Sequence, residues 1–279
     1  MRLYSIREVI VMMTRREAAK AAALTALSYS RIAGANDRMG LGVIGTGSRG
    51  TEVARQFLLN EDVELRALCD VYPPRMEKLK SMAQGVKTFN DHRELLALKE
   101  VDIVLVGSPD HWHKDHACDA MNAGKDVYCE KPLCRLRSEA PEMVRTARVT
   151  GRICQIGLQQ RSGEIYREPL DKFVRSGALG RITHIDAVWH GGVVGPMRTE
   201  PAVKPPDLDW VRFLGPVSYR EWNPAQYFSF RNFLDFNGGK LTDFGHHWMD
   251  VVHMYMGEKP PNSAVFAGGI FFNYNDGRT

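Results

Sequence analysis

From Leu41 to Asp70 the chain reads as apolar run, glycine turn, helical segment, apolar run and acid. The run Leu41 to Gly45 enters Gly45-Thr46-Gly47-Ser48-Arg49-Gly50, which opens a stretch of helical spacing. A second run from Val63 ends at Cys69 and Asp70, twenty residues beyond Gly50. The glycine pattern alone is weak; placed between a strand and a helix, with an acid at that distance, it specifies a dinucleotide-binding βαβ unit. Each part has a task. Gly45, Gly47 and Gly50, with Ser48 and Arg49 between them, let backbone N–H groups approach a pyrophosphate at the positive end of a helix, while Asp70 accepts from a ribose hydroxyl. A carboxylate there repels a 2′-phosphate, so NAD is expected over NADP, although Arg75 stands close by in sequence.

The alternation continues to about residue 155. Apolar runs at 41–45, 63–69, 101–107, 126–129 and 153–156 are separated by segments of helical spacing at 50–59, 74–83, 93–98, 112–123 and 139–150, some ending at glycines such as Gly124 and Gly151. Runs apolar at every position suit strands covered on both faces, which gives a right-handed, doubly wound parallel sheet of the Rossmann type. After Gly157 the texture changes. A helix through Leu170, Phe173 and Val174 stops at Gly177, and Thr183 to Trp189 alternates like a strand with one wet face. A Pro- and Trp-rich connection, Pro196 to Pro224, leads to a last helix, Leu241 to Met256, and a strand-like stretch, Ala264 to Phe272. The expected class is α/β: residues 36–157 as an NAD(P)-binding domain and 158–279 as a separate α+β domain.

Charge and cysteine usage remove other classes. The formal net charge is +4; residues 1–35 hold six basic side chains against two acidic ones, so the remainder is balanced. A balanced body has no surplus of Lys and Arg to neutralise phosphates, so nucleic acid is set aside as a partner. Five cysteines without a C-x-x-C pair do not make a disulfide scaffold. The N-terminal surplus has its own form: Thr14-Arg15-Arg16-Glu17-Ala18-Ala19-Lys20, a mildly apolar stretch from Ala21 to Leu27, then Ala33-Gly34-Ala35. It is similar to a twin-arginine export leader over residues 1–35; an Ala-rich helix with a basic end is the competing reading. The expected location is the periplasm or another exported compartment, and the cytoplasm where the leader is not used. No stretch reaches the roughly 18 apolar residues of a spanning helix, so no stable membrane anchor is expected.

Three further segments carry chemistry. Ser108-Pro109-Asp110-His111-Trp112-His113 ends the third apolar run, at the edge where doubly wound sheets bind ligands. His111, His113 and His116 with Asp110 and Asp115 lack a glutamate or cysteine to complete a ligand set, and a helix start lining the cofactor is the preferred reading. Lys131, in Glu130-Lys131-Pro132, leaves the end of a strand and is placed to polarise a substrate hydroxyl or carbonyl, or to lie on the surface. Asp243 and His247, at i and i+4 after Gly238-Gly239, share a helix face as an orienting carboxylate and a general base. Asp243 as a helix cap and His247 as a core histidine remain open, as does a metal on the face of His246, Asp250 and His253.

Taken in order, the glycine turn, Asp70, Ser108 to His113, Ala123-Gly124-Lys125-Asp126-Val127, Glu130-Lys131-Pro132 and Gly238-Gly239 with Asp243, Gly245, His247 and Asp250 resemble the glucose-fructose oxidoreductase, inositol dehydrogenase and MocA (Gfo/Idh/MocA) family. The resemblance runs from residue 39 to about 275. It implies a Rossmann domain, a C-terminal substrate and oligomerisation domain over 158–279 with a mostly antiparallel open sheet that often builds a homo-oligomer, and NAD or NADP acting on a sugar, polyol or glycoside. Lys131 would contact nicotinamide ribose and the reacting hydroxyl, with Glu130, Ser108, Pro109 and His113 at the cofactor. Asp243 and His247 would be the orienting acid and the base, and Trp112 and Arg161 would line the substrate. The second domain is shorter than the family pattern, so several strands of that sheet are expected to be missing. The function expected is hydride transfer between a secondary hydroxyl and a nicotinamide. A redox-neutral NAD-dependent glycosidase and a non-catalytic or metal-binding sugar-recognition protein are the alternatives.

Overall fold

The computed structural model describes residues 38–188, 197–239, 241–257 and 263–265. Its centre is a parallel sheet of six strands in the order β3-β2-β1-β4-β5-β6. The strands are β1 (Met39–Ile44), β2 (Val63–Cys69), β3 (Lys87–Phe89), β4 (Ile103–Val106), β5 (Asp126–Glu130) and β6 (Cys154–Gly157). Between them run α1 (Ser48–Phe57), α2 (Glu77–Lys80), α3 (His92–Leu96), α4 (His113–Asn122) and α5 (Ala140–Thr150). Leu41 and Val43 pack with Val53, Leu65 and Leu105 on one face, while Ile44 joins Ala67, Val104, Val127 and Met121 on the other. Burial on both faces is why these strands read as continuous apolar runs.

Two local differences separate this sheet from the sequence reading. β3 is an unexpected strand: three residues, Lys87-Thr88-Phe89, pair with Ala67 to Cys69 at the sheet edge. An edge strand that short and that wet carries no apolar run. The helix expected at 74–83 is reduced to a single turn at Pro73–Arg75 followed by α2.

Beyond Gly157, α6 (Glu164–Pro169) continues into a wide turn, Leu170–Arg175, and the helical path ends at Gly177 with φ of +78°. The strand expected over 183–189 is absent from its described part: 183–188 run without a ladder, and Trp189 lies outside the described residues. A strand needs a neighbour to satisfy its N–H and C=O groups, and no described residue after Gly157 belongs to one. The expected strand 264–272 lies outside the described residues except 264–265, and the leader 1–35 lies wholly outside them. What the second half does build is an aromatic core. α7 (Trp210–Leu214) and α8 (Pro224–Phe228) gather Trp210, Phe213, Tyr227, Phe233 and Phe236 over the carboxyl edge of the sheet. α9 (His246–Tyr255) follows a wide turn at Leu241–Gly245. No helix among the described residues is long and apolar enough to cross a membrane.

Candidate active site

The sheet order reverses between β1 and β4, and ligands of doubly wound folds bind at that switch. There the chain turns at Gly45, whose φ of +85° is open to glycine. A Cβ on Gly45 would lie 2.5 Å from the Ser108 amide nitrogen, and one on Gly50 would lie 1.9 Å from the Gly45 carbonyl oxygen. These two glycines are demanded by backbone packing. Gly47 is not: a Cβ there would meet nothing nearer than the Arg75 guanidinium at 3.8 Å. It borders a cavity of about 860 Å³, at the upper end of small-molecule sites. No side chain caps α1, which leaves its first N–H groups to an anionic ligand. Open space beside Gly47 and an uncapped helix start fit a dinucleotide.

Asp70 closes β2 as the spacing requires. Its Oδ2 accepts from the Thr46 amide at 2.8 Å and the Thr46 hydroxyl at 3.0 Å, and its Oδ1 accepts from the Tyr72 amide at 3.0 Å. It therefore shapes the glycine turn as well as bordering the cavity. Arg75 borders the same cavity, its guanidinium 4.6 Å above the Tyr227 ring. Arg49 borders the cavity and donates from Nε to Glu130 Oε1 at 2.9 Å. Glu130 itself is buried, so it meets the cavity through Arg49.

Ser108 and Pro109 line the same cavity. His113, expected with them, is instead buried behind the loop. Its Nδ1 lies 2.6 Å from the Pro132 carbonyl and its Nε2 2.8 Å from the Ser108 carbonyl, so both ring nitrogens are committed to backbone. The imidazoles that line the cavity are His92 and His116, the latter 2.9 Å from the Ser108 hydroxyl and stacked on Trp112. Trp112, expected at the substrate, lines this same cavity: its ring is 6.1 Å from His92 and its Nε1 donates to the Phe213 carbonyl at 2.9 Å. Burial holds His116 well below the usual imidazole range and brings His111 down to about 4.

The catalytic candidates converge at the end of β5. Lys131 Nζ donates to the Asp243 carbonyl at 2.7 Å and to Asp243 Oδ1 at 2.5 Å. The carboxylate expected to orient His247 is thus turned toward the lysine, and His247 Nδ1 is buried without a hydrogen-bond partner among the described residues. The wide turn at Leu241–Gly245 explains this, because Asp243 precedes the regular i, i+4 stacking of α9. His247 still senses both groups. Burial and then the Lys131 charge hold its imidazole below the usual range, against the upward pull of Asp243. Arg231, which lines the cavity, lies 3.9 Å from Asp243 Oδ1 and marks where the cavity meets these groups.

Two further expectations change. Arg161, expected at the substrate, holds Asp250, with Nε 2.8 and 2.7 Å from the carboxylate oxygens. His246 Nδ1 lies 2.7 Å from the Thr242 carbonyl, so with Asp250 on Arg161 two of the three residues on the face of His246, Asp250 and His253 are engaged within the protein. Among the described residues no group of three or more His, Cys, Asp or Glu is placed to hold a metal ion. Sequence reading had His116 only as a member of the helix-start cluster, and it missed Tyr227, Arg231 and Asn237. Only Asn237 had a local signal, as a turn former before Gly238-Gly239.

A parallel sheet with an open glycine turn at its switch point is the arrangement of a dinucleotide-binding Rossmann domain, and a lysine, a carboxylate and an imidazole from distant parts of the chain gather at the end of β5. The chain belongs to the Gfo/Idh/MocA family: residues 39–158 match the oxidoreductase family NAD-binding Rossmann fold and residues 164–266 its C-terminal alpha/beta domain. The α-N-acetylgalactosaminidase of Shewanella oneidensis is 34% identical over 160 residues, 53% of this chain and 34% of that one. The chain thus spans about a third of that curated relative's length. GenD2 from gentamicin A biosynthesis, solved with NAD, matches with a TM-score of 0.60 at 20% identity over 80% of this chain and 54% of that one. Apo scyllo-inositol dehydrogenase from Lactobacillus casei matches with a TM-score of 0.56 at 21% identity over 79% and 56%. At these identities the two structures show the fold.

Proposed function

We propose that the chain oxidises or reduces a secondary hydroxyl of a sugar, polyol or glycoside with NAD, NADP being the less favoured cofactor. The observation that carries this reading is the Lys131–Asp243 contact beside a buried imidazole held in its neutral form. Bound nicotinamide would supply hydride acceptance at its C4. Gly47, Asp70 and the start of α1 would hold the dinucleotide, with Arg49 and Ser108 along it. Lys131 has three N–H donors and spends two on Asp243, which leaves one for the substrate oxygen as charge builds there. His247, uncharged at neutral pH, takes the hydroxyl proton on its imidazole. Asp243 holds the lysine rather than the histidine. The protein is further proposed to be exported by its leader and to act as a homo-oligomer.

A second reading, redox-neutral cleavage of a glycoside with the cofactor retained, is favoured by the roof over the cavity. Phe213, Tyr227, Phe228 and Phe230 from the second half line the same space as the glycine turn, so the dinucleotide would be enclosed. The name of the Shewanella oneidensis relative supports it too. The test incubates the purified chain with NAD and a panel of polyols, free sugars and aryl glycosides. NADH absorbance rising with a polyol or sugar supports net oxidation, and aglycone release without NADH supports the second reading. Absence of both, with NAD bound, leaves sugar recognition without catalysis and sinks the enzymatic proposal.

A further inference from the structure

Asp110 is buried and plays no part in the reaction proposed above, yet it sits where β4 hands the chain to α4, one residue from the cavity-lining Pro109. Its Oδ2 accepts from Asn237 Nδ2 at 2.8 Å across 127 residues of sequence. Asn237, equally buried, uses its other amide atom as well: Oδ1 accepts from the Gly239 amide at 2.7 Å. Gly239 has φ of +81°, and its carbonyl accepts from the Thr242 hydroxyl at 3.0 Å. A Cβ on Gly238 would lie 2.4 Å from that same hydroxyl oxygen, so the turn fits closely against Thr242. The next residue is Asp243, whose carbonyl and carboxylate both receive Lys131. Hydrogen bonds, joined by the backbone of Gly239 and of Thr242–Asp243, thus link the cofactor loop to the catalytic lysine.

We propose that Asp110 and Asn237 are positioning residues that fix the Gly238-Gly239 turn and thereby place Asp243 on Lys131. A loop of two glycines has no side chains to hold its path, and a buried amide bonded at both ends supplies that constraint. Removing either partner leaves the other buried and unsatisfied, which favours a shifted turn. Burial pushes the Asp110 carboxyl upward, and the Asn237 amide donates to it, so what matters at this position is an acceptor oxygen, which asparagine also offers. The inference relies on the preceding reading only for calling Lys131 catalytic.

The experiment reads Lys131 itself and needs no substrate. The full chain is reductively methylated with ¹³C-formaldehyde and the rate at each lysine is followed by peptide mass spectrometry. Lys125 is the internal control, because its Nζ is held by the Leu98 and Val101 carbonyls within the first domain. In Asp110→Ala and Asn237→Ala, Lys131 should react about tenfold faster with Lys125 unchanged. Asp110→Asn should stay as slow as the natural chain. Unchanged Lys131 reactivity in both alanine variants, or Asp110→Asn behaving as alanine does, overturns the proposal. Where an alanine variant exposes Lys125 too, the exchanged pair Asp110→Asn/Asn237→Asp decides: it retains one donor between the pair and an acceptor for Gly239, so protected Lys131 supports the proposal and exposed Lys131 overturns it.

Discussion

Lys131 and Asp243, 112 residues apart, meet through a single ammonium that contacts both the backbone carbonyl, at 2.7 Å, and the carboxylate, at 2.5 Å. The second domain therefore delivers the partner that aims the first domain's lysine. Lys131→Ala should lower turnover by about 10²–10³-fold, the usual size of a lost transition-state donor. NAD affinity should change little, because the glycine turn and Asp70 are untouched. Steady-state kinetics on the substrate found by the panel, with a fluorescence titration of NAD, checks both halves.

As the proposed base, His247 must be neutral. Burial, followed by the Lys131 charge, lowers its pKa, so the acid limb of kcat/KM for oxidation should fall below the ordinary imidazole value of about 6.5. Activity should be present above that limb and lost as pH falls through it. In Lys131→Met, whatever activity remains should show the limb moved upward, because a positive neighbour has gone and Asp243 pulls the other way. A limb that stays fixed would remove His247 from the role of base.

The glycines of the turn divide by what surrounds them. Gly50→Ala would force a Cβ to 1.9 Å from the Gly45 carbonyl and should cost about 1–3 kcal/mol or more of stability. Gly47→Val enters open space, so thermal unfolding should stay near that of the natural chain while NAD binding is lost. Differential scanning calorimetry and the NAD titration separate the two effects.

Asp70 holds three protein hydrogen bonds and borders the cavity. Asp70→Ala should weaken NAD binding by about 10–100-fold, as expected for a lost charge-assisted contact, and relax discrimination against NADP. Arg75 is positioned to favour the added phosphate once the carboxylate is gone. Equal loss for both cofactors in paired titrations would show that Asp70 only shapes the turn.

His111 is buried with Nε2 on the Phe213 carbonyl, and its pKa is pushed down to about 4. The unfolded chain takes up a proton below about 6.5 that the folded chain refuses, so stability present above that pH is lost progressively down to about 4, on the order of 3 kcal/mol from this residue. His116 acts in the same direction. Urea unfolding at about pH 7 and about pH 5 should show the loss, and His111→Asn should reduce it.

Much of the first domain was legible in the residues because its determinants are local. Strands buried on both faces are apolar at every position, Gly45 and Gly50 are required where backbone meets backbone, and an acid closes β2; neighbours in sequence express each of these. Edge strand β3 left no such mark, since a strand paired on one side and wet on the other need not be apolar. The residues around the site were legible as types and positions, less so as partners. Spacing put Asp243 and His247 on one helix face, but a lysine brought from the end of β5 took the carboxylate. His113 was the expected cofactor residue and His116 only its neighbour in the helix-start cluster, yet two loop carbonyls drew the first away from the cavity while the second faced it. Asp250 took Arg161 in the same way. Sequence alone determined the parallel sheet, the glycine cradle and the identity of the chemical groups, because period and steric necessity act between near neighbours. The tertiary structure decided which group holds which, because each of these side chains has several possible partners and only the packing of distant elements brings one of them within hydrogen-bond reach.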